Sequence, residues 1–94
     1  MEALQMDAKN YPIEMLSVCG IDGNLMPVRF RYEAEDRSVR TVQISEVVCT
    51  KEIHYVGIEA IIYVCKAKME EFERLLELKY TIRTHRWALF RVIY

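Results

Sequence analysis

The stretch that decides the fold is Lys66–Arg83, KAKMEEFERLLELKYTIR. Two periodicities compete within it. Met69, Phe72, Leu75 and Leu76 recur at helical spacing, among residues of high helix propensity. Leu76, Leu78, Tyr80 and Ile82 instead alternate with Glu77, Lys79, Thr81 and Arg83, the period of a half-buried strand. That alternation ends on the β-branched pair Thr81-Ile82, and no Ser, Thr, Asp or Asn stands just before Met69 to cap a helix. The reading is a hairpin turning near Glu70-Glu71-Phe72. A helix near 67–80, which would make the fold α+β, is the alternative.

Working outward, Ile58–Ala67 is apolar on both parities, as expected of a central strand, and a turn near Val56-Gly57 precedes it. Val39–Tyr55 is too long for one flat strand. Val42 and Ile44 share a parity, whereas Val47, Cys49 and Ile53 share the other, so the register slips near Ser45-Glu46. In an antiparallel sheet such a slip is a bulge or a sharp bend. Before it, Val28, Phe30, Tyr32 and Ala34 alternate with Arg29, Arg31 and Glu33, giving one buried and one wet face. Pro27 opens that strand, where a missing donor does least harm. Ile13–Ile21 is apolar on both faces, and Asp22-Gly23-Asn24 after it is a strong hairpin signal. Residues 1–12 form an N-terminal arm, flexible or a short helix, ended by Pro12. Trp87–Tyr94 reads as the last strand, with Ala88, Phe90 and Val92 on one face.

The expectation is therefore all-β: a single domain over 13–94, a meander of five to six antiparallel strands. One strongly bent strand makes it a partly open barrel. Composition agrees, since valine and isoleucine outnumber leucine and alanine and β-branched side chains favour pleated sheets. The chain is 52% hydrophobic with a net charge of −1, which excludes a disordered tail. The longest apolar run, Ala60–Cys65, is far short of the ~20 residues of a membrane-spanning helix, so no membrane partner is expected. The opening MEALQMDAKNYP has neither a basic start nor an apolar stretch of signal length. Cys19, Cys49 and Cys65 are odd in number and form no Cys-x-x-Cys pair, so neither a disulfide framework nor a zinc ribbon is expected. A reducing, cytoplasmic location follows from these observations.

No constellation points to catalysis. A nucleophilic cysteine needs a cation, a helix N-terminus or a paired histidine, and all three cysteines sit in apolar strand patterns where they read as core. Cys49 and His54 would lie on opposite faces of a regular strand. His54 and His85 match no metal-ligand spacing, and glycines at 20, 23 and 57 are too scattered for a phosphate loop. No metal, cofactor or catalytic residue is assigned, and an uncharacterised small enzyme ranks third among the readings.

Charge is distributed unevenly. Glu2, Asp7, Glu14, Asp22, Glu33, Glu35 and Asp36 outweigh Lys9, Arg29 and Arg31 in the first third. The last sixteen residues hold Lys79, Arg83, Arg86 and Arg91 and no acid, interleaved with Tyr80, His85, Trp87, Phe90 and Tyr94. Cations beside aromatic rings on a small barrel suit single-stranded nucleic acid, through Lys79, Arg83, Arg86, Trp87 and Arg91. The bland alternative is that Trp87 is core and the arginines are solvated, and a pI near 6.1 favours it. Sheet edges supply the other binding hypothesis: the charged faces Arg29/Arg31/Glu33 and Glu77/Lys79/Arg83 either lie across from one another or meet a partner, and a second copy or another protein would use such an edge.

The order D-G-N-x-x-P-V-R-F at 22–30, then E-L-K-Y at 77–80 and R-W-x-L-F at 86–90, resembles a group of small uncharacterised β-rich proteins from Firmicutes. The resemblance covers about residues 13–94 and implies a bacterial source, but no catalytic residue or ligand. The architecture is also similar to Src-homology-type and Sm-like small barrels, which bind peptides or nucleic acids. The peptide-binding barrels line a groove with aromatics in an early loop, and residues 33–41 have none, which counts against Pro-rich peptide recognition. The functional expectation is a non-catalytic, self-associating protein-protein interaction module. Nucleic-acid binding is the alternative.

Overall fold

A computed structural model describes residues 10–94, so most of the expected N-terminal arm, residues 1–9, lies outside the described residues. Six strands follow in chain order: β1 (Tyr11–Cys19), β2 (Leu25–Glu33), β3 (Val39–Tyr55), β4 (Ile58–Met69), β5 (Phe72–Thr81) and β6 (Arg86–Val92). β1 therefore takes in Tyr11 and Pro12, which the sequence reading gave to the arm. Each strand pairs antiparallel with the next. Tyr11, Pro12 and Ile13 of β1 also pair with Leu89, Ala88 and Trp87 of β6. The meander is thus a closed barrel where a partly open one was expected.

The deciding stretch is a hairpin. Met69 pairs with Phe72 across Glu70-Glu71, and β5 alternates as read, with Leu76 and Leu78 at 0% exposure. A helix at 67–80 would have grouped Leu75 with Leu76 but turned Leu78 away from that face, so the strand buries more apolar surface. Glu70 and Glu71 both have positive φ, 54° and 76°. That is the backbone of a type I′ turn, whose twist matches the flanking strands. Without glycine it costs roughly 1–2 kcal/mol per residue.

Bulges decide which side chains face the interior. The expected slip in β3 is present at Ser45, between Ile44 and Glu46, and a second follows at Val48. Val47 consequently stays inside opposite Cys65, while Cys49 and Ile53 turn outward opposite Val64 and Ala60. The three were expected on one face, and the second bulge is the reason they are not. In β2, Leu16 pairs with Arg29 and Ser17 with Pro27, leaving Val28 as the extra residue. Phe30, Tyr32 and Ala34 are buried as read, but Pro27 is buried where Val28 was expected. In β6 the extra residue is Phe90. Trp87, Leu89 and Val92 therefore face inward, in place of Ala88, Phe90 and Val92.

β4 is central in the way its sequence suggests. Tyr63, Cys65, Ala67 and Met69 line the interior, while Ala60, Ile62 and Val64 on the outer face are buried too. β1 differs from its reading. Tyr11, Ile13 and Met15 pack on the core, but Leu16 and Val18 on the other face are exposed. No helix among the described residues is long and apolar enough to cross a membrane.

Candidate functional site

The five basic and aromatic residues singled out from the sequence do not gather on one surface. Register places Lys79 opposite Ala88, Thr81 opposite Arg86 and Glu77 opposite Arg91, so Lys79, Arg86 and Arg91 share the outer face. Arg83 lies in the exposed turn between β5 and β6. Trp87 points the other way, with its ring centroid 5.3 Å from Tyr63 and 5.0 Å from Tyr80. Lys79 donates to Asn10 Oδ1 at 3.0 Å, and its ammonium lies 5.5 Å from the Phe90 ring centroid.

Arg91 is engaged with Glu77. Its Nε donates to Glu77 Oε1 at 2.9 Å, and Lys51 Nζ donates to Oε2 at 3.3 Å. Glu77 is the one buried charged residue among the described residues, with its side chain 4% exposed. The Arg91 guanidinium, and then Lys51, hold its carboxyl below the usual carboxylate range against the opposing effect of burial. This cluster locks β3, β5 and β6 together on the outer wall.

Two of the three cysteines depart from their reading as core, and Cys65 keeps to it. Cys65 is buried, and burial, with a lesser contribution from Cys49, pushes its thiol up to about 12. Cys19 and Cys49 are exposed, because Cys19 ends β1 and Cys49 follows the second bulge of β3. Cys49 and His54 do fall on opposite faces, opposite Val64 and Glu59 respectively. His54 stands 3.6 Å from Glu52 and 3.8 Å from Glu59, all three exposed. His85 Nδ1 is 2.9 Å from the Tyr80 hydroxyl. Among the described residues no group of three or more His, Cys, Asp or Glu side chains is arranged to hold a metal ion.

Between the β1–β2 and β3–β4 hairpins lies a cleft of about 280 Å³, lined by Asn24, Leu25, Met26, Val47, Thr50, Glu52, Ile61 and Tyr63. The Tyr63 hydroxyl donates to the Leu25 carbonyl at 3.0 Å across its floor.

Beside this cleft, the β1–β2 hairpin outruns β6. β6 begins at Arg86 and pairs with β1 as far as Ile13. From Glu14 to Cys19 β1 has β2 on one side and, among the described residues, no strand on the other. Its backbone N–H and C=O groups on that side form an open edge. Beyond Glu14 the outward side chains along it are apolar: Leu16 is 48% exposed, Val18 56%, and Met26, paired with Val18, 52%. Arg31 and Glu14 bridge at 2.7 Å at the base of the hairpin. Sequence reading passed over this edge because IEMLSVCGI reads as apolar throughout. The available signal was Glu14, which shares the parity of Leu16 and Val18 and marks that face as wet.

The architecture defines a class: small, closed, six-stranded antiparallel meander barrels. Compared with family models, curated proteins and solved structures, the chain matches none.

Proposed function

We propose that the protein is a non-catalytic interaction module that self-associates through the open β1 edge, working in a reducing cytoplasm. The observation that carries this reading is the one-sided pairing of Glu14–Cys19 together with the exposed Leu16, Val18 and Met26 beside it. An unpaired strand offers a row of hydrogen-bonding groups, and an apolar margin adds burial when a second strand docks. The free thiols suit a reducing compartment. Light scattering tests the reading: a dimer mass is the expected result, and a strict monomer throughout the micromolar range rejects self-association. Single-stranded oligonucleotide binding that weakens with salt, and is lost on Arg83→Ala with Arg86→Ala, would instead favour the nucleic-acid alternative. The inward Trp87 and the engagement of Arg91 by Glu77 weigh against it.

A further inference from the structure

Resting on that reading, we propose that the partner at the β1 edge is a second copy of β1, antiparallel, with the twofold axis at Ser17. The register follows from the side chains. A twofold axis perpendicular to a sheet returns each residue to its own face, so the axis must pass through a residue, not between two. An axis at Met15 sets Leu16 against Glu14 of the other copy, and an axis at Leu16 sets Glu14 against Val18. Both bury an apolar side chain against a carboxylate already held by Arg31. An axis at Val18 pairs the two valines but leaves each Leu16 opposite Gly20, which has no side chain to cover it.

The axis at Ser17 is the one that satisfies both exposed residues. Leu16 of each copy faces Val18 of the other, twice by symmetry, and the short Ser17 side chains meet on the axis. Glu14 then lies opposite Gly20 and keeps its bond to Arg31. In the four-stranded sheet that results, Met26, Val18 and the facing Leu16 form one continuous cross-strand row, ending at Arg29 of the second copy, because Val18 pairs with Met26 and Leu16 with Arg29 within each chain. Apolar cross-strand pairs of this kind stabilise sheets.

Two measurements on the full chain test the register. With Cys19→Ser and Cys49→Ser in place, Ser17→Cys is expected to give a disulfide-linked dimer under diamide, since residues facing across an antiparallel axis lie within disulfide reach. Leu16→Glu and Val18→Lys are each expected to weaken the dimer about tenfold, and their combination in one chain to recover most of that loss, because this register sets the new carboxylate against the new ammonium. Cross-linking or rescue supports the axis at Ser17. A light-scattering dimer that neither cross-links nor is rescued overturns the axis and leaves the self-association reading standing. A chain that is monomeric at every concentration overturns both.

Discussion

β4 and β1 are both strands of mainly apolar residues, yet β4 is buried on two faces and β1 on one. Neighbours make the difference. β4 lies between β3 and β5 from Ala60 to Ala67, and its outer-face Ile62, 1% exposed, is flanked in register by Lys51 and Lys79. β1 has β6 beside it only at Tyr11–Ile13, so nothing among the described residues shields Leu16 or Val18. Burial of a strand's second face is decided by what flanks it, not by its own composition. Buried side chains fill the wall of β3–β6 and reach β2 at Phe30, Tyr32 and Ala34, whereas the Leu16–Val18 end of β1 stays exposed.

The sharpest way to break this comparison is to truncate one leucine on each side. Leu78→Ala in β5 is expected to lower unfolding free energy by about 3 kcal/mol in urea denaturation, as a fully buried leucine leaves a cavity. Leu16→Ala in β1 is expected to change it by less than about 0.5 kcal/mol. Equal losses would dissolve the distinction.

Next in size is the buried carboxylate of the wall. Glu77→Gln is expected to destabilise by about 2 kcal/mol at neutral pH, since its hydrogen bonds to Arg91 and Lys51 lose their charge. The pH dependence has a definite sign. The folded-state pKa of Glu77 is depressed below its ordinary value of 4.5, so its contribution is complete above that value and lost as pH falls through the lower folded value. The gap in stability between wild type and Glu77→Gln should therefore close on acidification below pH 4.5, followed by circular dichroism at stepped pH.

A smaller effect, in the opposite direction, sharpens the comparison at the tip of the wall. Glu71→Gly relieves a positive φ of 76° and is expected to raise unfolding free energy by about 1 kcal/mol, read as a higher thermal midpoint. The smallest expected change in stability is at Val18→Lys, within about 0.5 kcal/mol by the same denaturation, although this substitution is expected to weaken the dimer about tenfold by light scattering.

Much of this fold was legible in the residues. The alternation from Leu76 to Ile82, the Asp22-Gly23 turn and the slip at Ser45 each announce their structures, because period two and turn chemistry are local. The bulges at Val28, Val48 and Phe90 were not legible. A bulge is fixed by the coiling needed to close the ring, and β-branched or aromatic residues occupy one as readily as a regular position. Each unseen bulge inverted the face of what lay beyond it. Hence Cys49 emerged from the core, whereas Trp87 took the interior place that the favoured of its two readings gave it, away from the outward basic residues. The open edge escaped notice for a related reason: whether β1 outruns β6 depends on relative strand lengths around a ring, which no single segment records.

The pairing of Tyr11–Ile13 with Trp87–Leu89 has a kinetic meaning. Every other strand pair joins chain neighbours through a hairpin and can zip from its turn, whereas this seam joins the two extremes of the described chain and bears the largest loop-closure entropy. Ring closure is therefore expected last in folding, and the seam, held by three residue pairs, is expected to part first when the native barrel breathes. A molecule opened there would be a curved six-stranded ribbon with two bare margins, so loosening this short seam is expected to slow folding and to bare strand edges.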